Sequence, residues 1–203
     1  MAELTAALDA ATGRVVVGVT GPPGAGKSTL ALALAGAFDG ASYLPMDGFH
    51  LSNAALDRLG RRDRKGAPDT FDAAGYVAAL ARVRSDYGQR DVYVPAFDRR
   101  LDEPVAAGHV VPAGSRLVIT EGNYLGMPDG DWAPVRGLLD RLYYVDCPPA
   151  ERRKRLVARH IEGGRTLAAA AAWADDVDGP NARLIATTLQ YCDGVLSSSA
   201  VSG

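Results

Sequence analysis

The segment Gly21-Pro22-Pro23-Gly24-Ala25-Gly26-Lys27-Ser28, followed by Thr29, sets Gly21 and Gly26, with four residues between them, ahead of a Lys-Ser pair. That spacing is what a phosphate-cradling loop requires. Backbone N–H groups of Gly21, Gly24, Ala25 and Gly26 can approach phosphate oxygens closely, and a helix beginning near Lys27 turns its positive end toward them. Lys27 is placed to reach the β- and γ-phosphates, and the hydroxyl of Ser28, next to Thr29, to bind Mg²⁺. The ligand this chemistry implies is a nucleoside triphosphate such as ATP, with Mg²⁺. A Gly/Pro turn can match the same letters, but an apolar strand before it and an apolar helix after it favour the phosphate loop.

Two carboxylates are expected to stand beside that loop. Asp47, in Pro45-Met46-Asp47-Gly48-Phe49-His50, follows a short strand and suits a general base on an attacking hydroxyl; Asp-Gly is equally an ordinary turn pair. Glu121 follows the apolar run Leu117 to Thr120, where it would hold Mg²⁺ or bind the acceptor. His50 is a candidate acceptor contact, against the plainer role of a packing residue. Arg152, Arg155 and Arg159 share one face of a helix at i, i+3 and i+7, and Gly163-Gly164-Arg165 follows. A basic helix, a glycine hinge and a further Arg suit a lid closing over a triphosphate; a solvated charged face is the competing reading. A second cluster, Arg58 to Lys65, reads as an anion contact or a solvated loop.

The elements that must position these groups alternate. Arg14 to Thr20 reads as a buried strand, Lys27 to Phe38 as a helix and Ala41 to Met46 as a second strand. Asp72 N-caps a helix running to Tyr87, and Asp91 to Phe97 with Val105 to Val111 reads as a hairpin or two edge strands. Arg116 to Thr120 and Arg141 to Asp146 are further core strands. Glu151 to Glu162, Thr166 to Ala174 and Asp175 to Tyr191 read as helical, with a last strand at Gly194 to Ser197. Such alternation gives an α/β fold with a mostly parallel sheet and helices on both faces, binding ligands beyond the carboxyl ends of its strands. One domain over residues 1–203 is expected, with a lid at about 151–175.

Composition narrows the classes. The 203 residues carry 22 basic and 24 acidic side chains, a net charge of -2 that speaks against nucleic acid as a partner. Only three of the basic residues are Lys (Lys27, Lys65 and Lys154). The longest apolar stretch, Leu30 to Phe38, is about half what a bilayer crossing needs, so no membrane partner is expected. Cys147 and Cys192 form no metal-type spacing with His, and so few cysteines fit a reducing cytoplasm. A homodimer stays open as an assembly.

Taken together, the motifs resemble the P-loop kinases that include uridine kinase, phosphoribulokinase and the bacterial type of pantothenate kinase. The likeness is greatest to a nucleoside/nucleotide-kinase-like branch, some members of which are labelled fructose transport system kinases. It rests on Gly21 to Thr29, Asp47-Gly48-Phe49, Arg64-Lys65-Gly66 with Pro68 and Thr70-Phe71-Asp72, Val94 to Asp98, Glu121-Gly122-Asn123, and Trp173 with Asn181. The resemblance implies a P-loop NTPase three-layer sandwich with a small helical lid, and transfer of the γ-phosphoryl group of MgATP to a hydroxyl of a metabolite. It implies Asp47 as the base and Arg159, with Arg155, as lid arginines alongside Arg165. Phe97, Arg99 and Asn181 fall around the acceptor. Pantothenate kinases carry His where this chain has Arg99, so acceptor identity (nucleoside, sugar or pantothenate-like alcohol) does not transfer. The competing readings are a nucleotide-dependent switch and an ATP-binding module without catalysis. A guanine-reading switch would need an Asn-Lys-x-Asp, and no Asn-Lys pair occurs in the chain.

Overall fold

The computed structural model describes residues 2–197. Its centre is β1 (Val15–Thr20), every residue of which is buried. A run of Val with one Gly suits a strand covered on both faces, as parallel strands are. Around it stand β2 (Ser42–Pro45), β5 (Leu117–Glu121), β6 (Arg141–Asp146) and β7 (Gly194–Ser197), in the order β2-β5-β1-β6-β7, all parallel. The alternation of β1 side chains divides the core in two. Val15, Val17 and Val19 pack with Leu117, Ile119 and Val145 under α1 (Ala2–Ala10) and α2 (Lys27–Gly36). Val16 packs on the other face with Leu44, Val118 and Leu142, under α4 (Ala73–Ser85) and a 3-10 segment, Gly130–Leu138. Two apolar faces on one sheet produce the three layers.

Helix α4 starts at Asp72 as its sequence indicates, the carboxylate accepting from Gly75 N at 2.8 Å. The predicted hairpin forms, β3 (Val92–Asp98) pairing antiparallel with β4 (Glu103–Val111). These two strands make a separate sheet rather than an edge of the main one, with a register shift between Val94 and Ala96 at Pro95, which has no N–H to donate. Two helices, α1 and α3 (Asn53–Leu59), have no counterpart in the sequence reading. For α3 the signals exist, an N-cap at Ser52 and a left-handed Gly60 at its end. It takes in Arg58, the start of the basic cluster that the sequence leaves as a loop. Much of the rest of that cluster is occupied internally: both Arg61 and Arg64 pair with Asp69, and Lys65 with Asp102. Near the C-terminus α5 (Pro149–Glu162), α6 (Leu167–Trp173), a π-helical segment Ala174–Asp178 and α7 (Gly179–Ala186) follow in succession. No helix among the described residues is long and apolar enough to cross a membrane, and both cysteines are free.

Candidate active site

The carboxyl ends of β1, β2 and β5 converge on one spot, because parallel pairing sets Pro45 opposite Glu121 and Glu121 opposite Val19. From the end of β1 the chain runs through Gly21–Gly26 into α2, with Gly26 left-handed (φ 92°) at the N-cap. Gly24 is required twice over. Its φ is +77°, and a Cβ there would lie 2.8 Å from the carbonyl oxygen of Arg152. That close approach seats the loop on α5, the helix that bears the predicted lid arginines.

Lys27 is buried and curls back to donate to Pro22 O at 3.2 Å. Burial pulls its ammonium below the usual lysine value, and the nearby carboxylates of Glu121 and Asp47 oppose that pull. The Ser28 hydroxyl donates to Glu121 Oε1 at 3.0 Å, and the same oxygen accepts from Tyr43 Oη at 2.9 Å. Burial, then the charge of Asp47, raise the Glu121 carboxyl above its ordinary range; burial and the Glu121 charge likewise raise the Tyr43 phenol.

Ser28 and Glu121 fit a Mg²⁺ ion. Adjacent oxygens of an octahedron with ~2.1 Å bonds lie about 3 Å apart, and Ser28 Oγ and Glu121 Oε1 are 3.0 Å apart. No group of three or more His, Cys, Asp or Glu suited to a metal occurs among the described residues. Sparse protein ligation is usual for Mg²⁺, whose other positions go to water and substrate phosphates.

Asp47 sits on a short 3-10 turn, Met46–Phe49, that continues β2. Gly48 is what allows this turn to press on β3, since a Cβ there would fall 2.1 Å from Pro95 O. Its φ is not left-handed, so space and not backbone freedom selects glycine. Asp47 forms an ion pair with Arg99 at 3.7 Å.

Two cavities meet here. One, about 240 Å³, is lined by the phosphate loop (Gly24, Gly26, Lys27, Ser28 and Thr29) with Arg155 and Arg159 of α5 and Arg99. The other, about 220 Å³, lies between Asp47, Phe97, Arg99, Glu121 and Ser28, with Tyr43, Pro45, Leu32 and His109 completing it. Gly21 and Ala25 belong to the loop but line neither cavity; Ala25 is buried in the core under α2. Arg155 donates to Glu151 at 3.0 Å and lies 3.5 Å from Gly24 O. Among the described residues the Arg159 guanidinium has no hydrogen bond or ion pair.

Three predicted residues stand elsewhere. Arg165 lines neither cavity and stacks on Trp173, its Cζ 3.8 Å from the ring centroid. Asn181 is buried on α7 and lines neither cavity. His50 stacks on Phe71 at 3.9 Å and leans on Phe97 at 4.9 Å, supporting the cavity wall from behind. Burial lowers its imidazole to about 4, so at neutral pH it is an uncharged packing ring. The reverse omissions are Tyr43 and His109, whose rings meet edge-on at 5.6 Å. Period-two alternation along β2 into the turn would have put Tyr43, Pro45 and Asp47 on one side. His109 has no such local signal.

A phosphate loop at the end of a central parallel strand, a carboxylate beside it and arginines lining the adjoining cavity define the class of P-loop nucleotide-binding proteins. Protein YggC of Escherichia coli (strain K12) is 39% identical over 175 residues, spanning 83% of this chain and 71% of its own length. The "Putative uridine kinase C227.14" of Schizosaccharomyces pombe is 35% identical over 161 residues, 74% of this chain and 68% of that protein. A crystal structure from Silicibacter sp. TM1040, described as a "putative fructose transport system kinase", superposes with a TM-score of 0.86 at 35% identity, covering 96% and 97% of the two chains. No protein-family model matches the sequence. The chain belongs to the P-loop kinase family that contains these proteins.

Proposed function

We propose that this kinase transfers the γ-phosphoryl group of MgATP to a hydroxyl of a small metabolite. The observation that carries the reading is the meeting of the two cavities at Ser28 and Arg99, with Lys27 on one side and Asp47 on the other. In-line transfer needs donor and acceptor held in adjoining spaces with a base on the acceptor side.

In this scheme the N–H groups of Gly24, Gly26, Lys27 and Ser28 and the Lys27 ammonium hold the phosphates, and Thr29 borders them. Ser28 and Glu121 would hold Mg²⁺, which would neutralise negative charge on the phosphates. The acceptor hydroxyl sits at Asp47, against Phe97. Its oxygen attacks the γ-phosphorus, the bond to the bridging β-oxygen breaks, ADP leaves, and the hydroxyl proton passes to Asp47. The segment from α5 to α6 is the lid, with Arg159 and Arg155 stabilising charge on the transferring group; the uncommitted Arg159 guanidinium is available for this at once. The acceptor cavity is compact beside the roughly 300–1,000 Å³ of drug-sized pockets, which suits a small polar alcohol.

The test is acceptor-dependent ADP release over nucleosides, sugars, sugar phosphates and pantothenate. Asp47→Asn is expected to retain nucleotide binding and lose turnover by about 10²–10⁴-fold, the usual contribution of a general base. Near-normal turnover in that variant would remove Asp47 from the mechanism, and ADP release independent of every acceptor would reject the transferase reading.

A further inference from the structure

Arg99 belongs to neither the phosphate loop nor the lid, yet with Ser28 it borders both cavities. It directly follows β3, on a turn that is firmly built. Asp98 Oδ1 accepts from the N–H groups of Arg100 and Leu101 at 2.8 and 3.1 Å. On the other limb of the turn, Lys65 donates to Asp102 Oδ2 at 2.9 Å and to Asn53 Oδ1 at 2.7 Å, while the Glu103 carboxylate accepts from Asn53 N at 3.0 Å. The root of Arg99 is therefore anchored while its side chain is 57% exposed and, among the described residues, tied only to Asp47, across 3.7 Å. An exposed pair at that separation is weak, so the guanidinium is easily transferred to a stronger anion. A triphosphate in the adjoining cavity would be such an anion, and Arg suits it because its planar fork can bond two phosphate oxygens at once.

We infer that Arg99 is a catalytic residue shared between the two halves of the site: it rests on Asp47 when no triphosphate is bound and moves onto the γ-phosphate when one is. This deepens the proposed transferase reading and rests on it. The exchange leaves Asp47 free to take a hydroxyl proton only once a transferable phosphoryl group is in place, and it adds positive charge where negative charge passes from donor to acceptor. Arg99 and Asp47 are then coupled in nucleotide binding before any acceptor is present.

The experiment is a calorimetric titration of the intact protein with ADP and with a non-hydrolysable ATP analogue, both with Mg²⁺. The proteins are the parent, Arg99→Ala, Asp47→Asn and the double variant. Arg99→Ala is expected to weaken the analogue about tenfold, the scale of one lost charge-assisted bond, and to leave ADP affinity unchanged. Asp47→Asn is expected to tighten the analogue in the parent, by releasing Arg99, and by clearly less in the Arg99→Ala background. Equal effects of Arg99→Ala on ADP and analogue, or none on either, would overturn the inference, as would the same Asn effect in both backgrounds. A parent that binds both nucleotides but transfers to no acceptor would instead fail the transferase reading, and a parent binding neither would fail both.

Discussion

Gly48→Ala tests whether the acceptor half of the site depends on one close backbone approach. The added methyl would sit 2.1 Å from Pro95 O and 2.6 Å from its carbonyl carbon. An ordinary carbon–oxygen contact is about 3.3 Å or more, so the turn and β3 must part by about 1.2 Å. Alanine meets no conformational obstacle, because Gly48 has no left-handed φ. The whole effect is steric. Overpacking against backbone costs about 1–3 kcal/mol, which for a chain of this size lowers Tm by roughly 2–12 °C. Asp47 stands on one side of the parting and Pro95, Phe97 and Arg99 on the other, so a displacement near 1 Å opens the acceptor cavity. Turnover is expected to fall about 100-fold, the usual consequence of such misplacement, while ADP affinity stays within about twofold because no atom of the phosphate loop moves. Acceptor-dependent ADP release, nucleotide titration and a thermal melt read the three quantities. Turnover within about threefold of the parent, at unchanged Tm, would refute the packing role given to Gly48.

Two further perturbations address charge inside the fold. Glu121 has its carboxyl raised by burial and by Asp47, so its contribution to stability is full below the ordinary Glu value and is lost as pH rises through the folded value. Glu121→Gln should therefore gain stability relative to the parent as pH rises, read as the difference in urea midpoints at pH 4.5 and pH 8, while losing the Mg²⁺ dependence of nucleotide binding; a constant difference across pH would contradict the assignment. Arg14 is buried and donates to the carbonyls of Ser115, Val83, Pro112 and Ala113 at 2.5–3.0 Å. Arg14→Ala strands those carbonyls and is expected to cost about 3 kcal/mol, measured by urea unfolding, with a loss under about 1 kcal/mol counting against it.

The phosphate loop was legible because everything it needs is contiguous. The strand Val15–Thr20, the glycines and the start of α2 occupy adjacent residues, and left-handed Gly24 and Gly26 do locally what the motif requires. The parallel core followed from the same local signals, since apolar runs broken by helical spacing leave few other ways to bury both faces. Helix α3 is legible only in its caps, Ser52 and Gly60, because with Leu56 as its one buried residue it carries little apolar periodicity. Asp47 and Glu121 were found as strand-end acids, but their mutual influence comes only from β2 and β5 lying side by side.

What only the tertiary structure decided lies between segments far apart in the chain. Tyr43 reaches Glu121 across 78 residues, and His109 meets Tyr43 because a separate hairpin folds over β2. The reason Gly48 must be glycine is a carbonyl 47 residues away in sequence, not the turn it occupies. Arg165, Asn181 and His50 carry the right chemistry in the right order, yet a Trp face, the core and an aromatic stack hold them away from the cavities. Residue types and local spacing determine which groups are available and which backbone can cradle phosphate. Which groups share a cavity depends on strand order and on the register of distant pairings, and no local run of residues encodes either.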